Sequence, residues 1–424
     1  MLAMLVFCAC SSNIDDADGN RPQVWHVTLQ ASMGDADTRA LSEGTESVIT
    51  ASFTAGDVVK VLKSDGTELC NLTAQSSGAS TTLEGTISGT FSVDDVLTLR
   101  YRSATANYDG QVGTLAGIAA NQDYAEGTLT VKTGSPLTFT SNSVTLAAKQ
   151  SITKFSFTCG GDAVSVKTFG IAAVGLVQSI AADATSTETI GAVTGTLASA
   201  SSEVYVALRN NVSGKQQYFF TIKDDAGNWY KGTKWAPLVN GNNYTATVTL
   251  TKLEALSGSS NVGDIGVVDG LPAIAISGNK AVALMNAGAL CPEHHGTYYT
   301  FDKRASGLSN DWYVPTQDEL GALAGIETKP WGALNGVNGR TFTIGSNTLF
   351  LPAAGYIDND VETGDEPVRS GKELVSTFGY YWSQTELTPS GSMAYSLQFS
   401  STNIGIFSEY EVNALTVRPF HALN

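Results

Sequence analysis

From Val24 to Leu250 the chain is a succession of short runs in which apolar and polar residues alternate, and a period of two is the period of a β-strand. Trp25, Val27 and Leu29 alternate with their neighbours in the run from Val24 to Ala31. Val58-Val59-Lys60-Val61-Leu62 and Val96-Leu97-Thr98-Leu99-Arg100-Tyr101 repeat the pattern, and turn-forming pieces such as Ser64-Asp65-Gly66 separate the runs. A second set begins near Val144 and includes Phe155-Ser156-Phe157, Val164-Ser165-Val166, the run from Glu203 to Leu208 and Tyr218-Phe219-Phe220-Thr221-Ile222. It carries a hairpin signal at Asp225-Ala226-Gly227-Asn228 and closes on the run from Asn242 to Leu250. Two such sets predict two β-sandwich domains, 24–143 and 144–253, in a mainly β protein. Composition agrees: Gly is 43 of 424 residues and charged residues are 15%, against a typical ~7% and ~25%, so helix-forming Glu, Lys and Arg are scarce.

The formal charge of −16 leaves no electrostatic footprint for nucleic acid or an anionic membrane surface. No internal apolar run is long enough to read as a membrane-spanning helix. Cysteines stand at 8, 10, 70, 159 and 291, with no CxxC or metal-ligand spacing among the last three, which read as small buried apolar side chains. Met1 to Ala9 is a short apolar run followed by Cys10-Ser11-Ser12, with Asp15, Asp16 and Asp18 beyond it. The run lacks a positive n-region, so the true start lies upstream or the signal is damaged. Apolar run, small residue and Cys-Ser-Ser together resemble a bacterial lipoprotein signal, which implies lipidation of Cys10 and an outer-membrane anchor.

The first run is followed by Gly34-Asp35-Ala36-Asp37-Thr38-Arg39-Ala40-Leu41 and then Ala51-Ser52-Phe53-Thr54-Ala55-Gly56-Asp57. Strand, arginine loop and following run resemble the fimbrillin family, the type V pilins of Bacteroidetes, over roughly residues 24 to 253. The resemblance implies proteolytic processing after Arg39, loss of the first strand with the lipid, and insertion of a strand from another pilin subunit by main-chain hydrogen bonding. Read without the resemblance, Arg39 is a solvated loop residue.

Glu254 to Asn261 is Gly/Ser-rich and reads as a linker, 254–261, into a third domain, 262–424. Within that domain, Thr316-Gln317-Asp318-Glu319 forms a capping box ahead of a helix face made of Leu320, Leu323 and Ala324. Asn338-Gly339 reads as a hairpin turn, and Leu349 to Tyr356 as a buried strand ending at Gly355. Cys291, His294 and His295 lie close together but lack the second half of a metal site, so this stretch reads as a structural loop. The blocks Trp312–Leu320, Leu349–Tyr356, Gly379–Ser383, Ala394–Phe399 and Thr416–Phe420 together resemble the Fibrobacter major paralogous family and related modules. Those modules have a C-type-lectin-like α+β fold. Trp382 and Phe399 are expected in its core. The related formylglycine-generating chemistry needs paired cysteines, and only Cys291 lies here. Calcium-dependent lectins use a Glu-Pro-Asn type cage, from which Asp365-Glu366-Pro367-Val368 departs. Neither an enzyme activity nor a metal nor a cofactor is therefore expected.

Between Phe399 and Thr416, the residues Ile404, Ile406, Phe407, Tyr410 and Val412 follow no clean period. They either plug the core or form a recognition patch; Tyr, Phe and Asn among small polar residues suit a patch. Its expected centre is Ile404, Ile406, Phe407, Tyr410 and Asn413, with Tyr380 and Ser396 at the rim. The position of the segment resembles the variable region of retroelement-diversified proteins. The reading is a cell-surface pilus tip adhesin with an unknown surface protein or glycan as ligand. A pilus stalk or anchor subunit and a free-standing glycan-binding lipoprotein are the alternatives.

Overall fold

Alternating burial along Val24–Met33 shows how the first set of runs is used: Trp25, Val27, Leu29 and Ala31 are buried and the residues between them exposed. The computed structural model describes residues 23–33, 42–43, 49–50, 52–101, 105–181, 187–277, 279–308, 311–360, 368–387 and 392–423. Val24–Met33 lies between Ser80–Ser88, which it pairs antiparallel, and Ser143–Ala148, which it pairs parallel. Beyond Ser80–Ser88 follow Glu68–Ala74, Val58–Leu62 and Val96–Tyr101, and the last pairs with Ala125–Gly134, which also bonds Ser143–Ala148. The first sheet thus closes on itself around Leu29, Val59, Leu83, Leu99, Leu129 and Leu146. The turn at Ser64-Asp65-Gly66 forms where expected, with Gly66 at φ 82°.

The second sheet is built on Ser151–Cys159, flanked by Glu203–Asn210 and, in parallel, by Asn243–Lys252. Its core includes Phe155, Phe157, Phe169, Val204, Phe220 and Val248. A single boundary at 143/144 does not describe the packing. The stretch 106–124 leaves the first sheet, pairs Ala106–Asn107 with Leu176–Ile180, and buries Tyr108, Ile118 and Tyr124 in the second core. Gln111 acts there as a surrogate strand, accepting from the Ala207 amide and donating to the Ala207 and Tyr108 carbonyls. The same stretch holds a helix, Leu115–Asn121, capped by Thr114, which the period-two pattern did not reveal.

Glu254 to Asn261 is no free linker, because the Leu256 amide donates to Val267 and the Val267 amide donates to Glu254. The C-terminal part opens with Ile265–Val268, Leu271–Ser277 and Lys280–Ala283, and the chain returns at its end to add Phe420–Ala422 to that sheet. The helix Gln317–Ala324 carries the expected capping box: the Glu319 amide donates to Thr316 Oγ1 at 3.1 Å, and the Thr316 amide to Glu319 Oε2 at 2.8 Å. The hairpin turn falls three residues earlier than the sequence reading placed it. Asn335 and Gly336 take φ of 52° and 89°, as a primed two-residue turn demands, while Asn338 and Gly339 lie inside the strand Val337–Ile344. Asn347–Pro352 ends at Pro352, short of Gly355, and Tyr356 opens the next strand. The last sheet consists of Gly379–Glu386, Met393–Phe399 and Ile404–Tyr410. Trp382 and Phe399 are buried, as is Arg418, whose guanidinium donates to the carbonyls of Ala283 and Phe350 and so ties two sheets together. Burial pushes its pKa down to about 10. Among the described residues no helix is long and apolar enough to cross a membrane.

Candidate functional site

The segment expected to lack a period is a strand, Ile404–Tyr410, at the end of the three-stranded sheet. Strand geometry sends alternate side chains to opposite faces, which splits the predicted patch in two. Ile404 and Ile406 are only partly exposed and pack on the core of Tyr381, Leu397 and Phe399, with Ile406 against the helix at Gly321. Tyr410, 56% exposed, has the parity of Ile404 and Ile406. Phe407, 49% exposed, stands on the other face with Glu409. The aperiodic look came from an edge strand whose two faces are both partly apolar.

On the Phe407 face, register aligns Phe407 with Ser396 and Trp382, and Gly405 with Gln398 and Tyr380. The Phe407 ring folds back over Gly405, so that a Cβ at 405 would stand 3.1 Å from ring atom Cε2. The ring thus lies close to Gly405 while about half of the residue stays open to solvent. Beside it runs a hydrogen-bonded chain: Asn413 Nδ2 donates to Glu409 Oε1 at 3.0 Å, and Gln398 Nε2 reaches Glu409 Oε2 at 3.3 Å and Ser396 Oγ at 3.0 Å. Ser396 and Asn413 are buried, so each orients a neighbour and does not itself form the surface. Tyr380 is also largely buried, its ring centroid 5.0 Å from Tyr356 and 6.1 Å from Phe378. Burial, then the charge of Glu409 and the nearby Tyr356 hydroxyl, raise its pKa to about 12, so it remains a neutral hydrogen-bonding group at physiological pH. Phe407, Gln398 and Glu409, backed by Tyr356, Phe378 and Tyr380, form an aromatic surface with a fixed amide and carboxylate. Sequence reasoning missed Gln398 and Glu409. Counting by twos from Phe407 and from Ser396 would have found both. Cys10 and Arg39 lie outside the described residues.

The loop carrying Cys291, His294 and His295 is a joint with the second sheet. Cys291 is buried against Gly170, and burial drives its thiol pKa well up. His294 Nε2 lies 3.1 Å from Asp109 Oδ2, and Asp109 Oδ1 also accepts from the Thr194 amide and hydroxyl. Burial alone would raise the Asp109 pKa, but the His294 and Thr194 bonds outweigh it and hold the carboxyl below its ordinary value. Glu293 is buried, accepting from Asn335 Nδ2 at 2.7 Å, and its burial raises its pKa.

No protein-family model matches the chain, and no curated protein matches it. Among solved structures, it is similar to a candidate cell adhesion protein of Bacteroides uniformis, 14% identical over 56% of this chain and 98% of that one, with a TM-score of 0.32. It is similar also to the tip fimbrial protein Mfa3 of Porphyromonas gingivalis with a C-terminal truncation, 10% identical over 54% and 99%, TM-score 0.29. A fimbrial assembly protein of Parabacteroides distasonis is 14% identical over 53% and 91%, TM-score 0.27.

Proposed function

We propose that this chain is a surface adhesin of the pilus type, which binds a glycan or protein through the Phe407 face of its C-terminal module. The observation that carries the reading is the half-exposed Phe407 ring laid on Gly405 beside the Gln398–Glu409 pair. A ring supplies large contact area for few rotors, and an oriented amide and carboxylate supply directional hydrogen bonds. The chemistry is binding without turnover. The chain should bind a glycan array or a mucin-coated surface, and Phe407→Ala should weaken that binding by about 2 kcal/mol while leaving melting nearly unchanged. Collapse of melting, or binding equal to the parent's, would sink the reading. EDTA should leave binding intact, and loss restored by calcium would overturn a metal-free ligand face.

Assembly by strand exchange is supported by the position of Val24–Met33, which is bonded along one edge from Val24 to Ser32 and along the other from Gln30 to Met33, and which buries Trp25, Val27 and Leu29 in the first core. Its removal would open a groove lined by Ser80–Ser88 and Ser143–Ala148, ready for another subunit's alternating strand. Arg39→Ala should block processing and pilus entry; incorporation at the parent's level would disprove processing at that residue. Lipidation at Cys10 and a tip position complete the proposal.

A further inference from the structure

Asp269, Asp311 and His421 each offer one ligand atom, and the three atoms lie within 4.8 Å of one another. We infer that they form a binding site for a divalent transition metal of the zinc type, apart from the ligand face.

Each donor is placed by a different element. Asp269 and Gly270, at φ 41° and 80°, make the tight turn between Ile265–Val268 and Leu271–Ser277, and Trp229 Nε1 of the second sheet donates to the Gly270 carbonyl at 2.7 Å. His421 stands on Phe420–Ala422 opposite Ala281. Alanines at 273, 275, 281 and 283 keep that sheet low enough for the His421 and Trp312 rings to lie against each other, 5.0 Å between centroids. The backbone of Tyr313 bonds that of Phe420, which carries Asp311 to the same place.

The imidazole supplies the second observation. His421 is 4% exposed. Its Nδ1 is bonded to the Ala422 carbonyl, an oxygen that can only accept, so Nδ1 carries the proton. In a neutral ring Nε2 then holds a lone pair, yet it lies 2.8 Å from Asp269 Oδ2. A lone pair and a carboxylate at that distance are held together by a proton or by a metal ion, and Asp311 beside them adds a second carboxylate that a divalent ion would balance. A backbone carbonyl on Nδ1 with Nε2 turned to carboxylates is also how metal-bound histidines are oriented. Ligands at about 2.0–2.2 Å from one zinc ion stand roughly 3–3.5 Å apart. The His421–Asp269 pair, at 2.8 Å, is slightly closer than that, and the Asp311 ligand atom lies within 4.8 Å of both. One imidazole with two carboxylates selects a zinc-type ion over calcium or magnesium, which prefer oxygen alone. The two aspartates are exposed, which gives the ion a way in.

The test uses the full chain, stripped with EDTA. Zinc chloride should bind at one equivalent by calorimetry and raise the melting temperature. Cobalt(II) should give visible absorption bands and quench tryptophan emission from Trp312. Asp269→Asn, Asp311→Asn and His421→Gln should each weaken zinc binding by roughly tenfold or more, since even loss of an outer-shell partner costs that much. If His421→Gln fails to fold, Asp311→Asn, a change to an exposed side chain, carries the test. Melting indifferent to millimolar zinc would overturn the proposal, with a protonated imidazole satisfying Asp269 instead. Variants that bind zinc as the parent does would overturn it equally, by placing the ion elsewhere.

Discussion

Glu293 shows at the residue scale how burial sets a pH response. Its folded pKa is raised above the ordinary 4.5 by burial, and the Asn335 bond only partly offsets that. The neutral acid is therefore the form that suits the folded state. Stability from this group is fully present below pH 4.5 and declines as pH rises toward the folded pKa, with a limiting slope of about 1.4 kcal/mol per pH unit. Glu293→Gln keeps an acceptor for Asn335 without the charge. Its melting temperature should exceed the parent's at pH 8 and match it near pH 4; a pH-independent difference would disprove the assignment. Gly405 is the matching residue on the proposed ligand face, where a side chain would press on the Phe407 ring and displace it. Gly405→Val should lift the ring and reduce binding several-fold with little change in melting, and unchanged binding would mean that the ring's placement is immaterial.

At the scale of elements, capping and turn chemistry were legible because they depend on neighbouring residues alone. The Thr316–Glu319 box formed as the four residues predict, and Glu319 is further held by Lys280 and Tyr313. Thr316→Ala removes the acceptor for the Glu319 amide and should cost about 1 kcal/mol in denaturant unfolding, with no effect on ligand binding. A cost near zero would show that tertiary packing alone holds the helix. The strand Ile404–Tyr410 was not legible, since period-two reasoning expects one wet face and one dry face. Here the helix Gln317–Ala324 covers part of one face, and on the other Phe407 stands exposed while its neighbours Ser396, Trp382 and Tyr380 are buried. The misplaced hairpin turn has a similar cause: Asn335-Gly336 and Asn338-Gly339 carry the same local signal, and only the pairing of Trp331–Leu334 with Val337–Ile344 decides between them.

At the scale of the whole molecule, the Asp109–His294 contact joins the C-terminal module to a stretch that itself crosses from the first sheet to the second. The Asp109 carboxyl titrates below its ordinary 3.8, so its contribution is present above that pH and lost as pH falls through the folded value. Asp109→Asn should cost about 1–2 kcal/mol at pH 7. The gap between the melting curves should close in strong acid; a gap that persists there would place the effect in packing. Sequence alone determined the mainly β architecture, the helix start at Thr316 and the buried Trp382 and Phe399, because alternation, capping and hydrophobicity act between near neighbours. Tertiary structure decided the rest. It carried residues 106–124 into the second core, returned Phe420–Ala422 to the sheet of Lys280–Ala283, and gathered Phe407, Gln398 and Glu409 on one face and Asp269, Asp311 and His421 at another. Those partners are far apart in the chain, and only the closing of the sheets brings them within reach of one another.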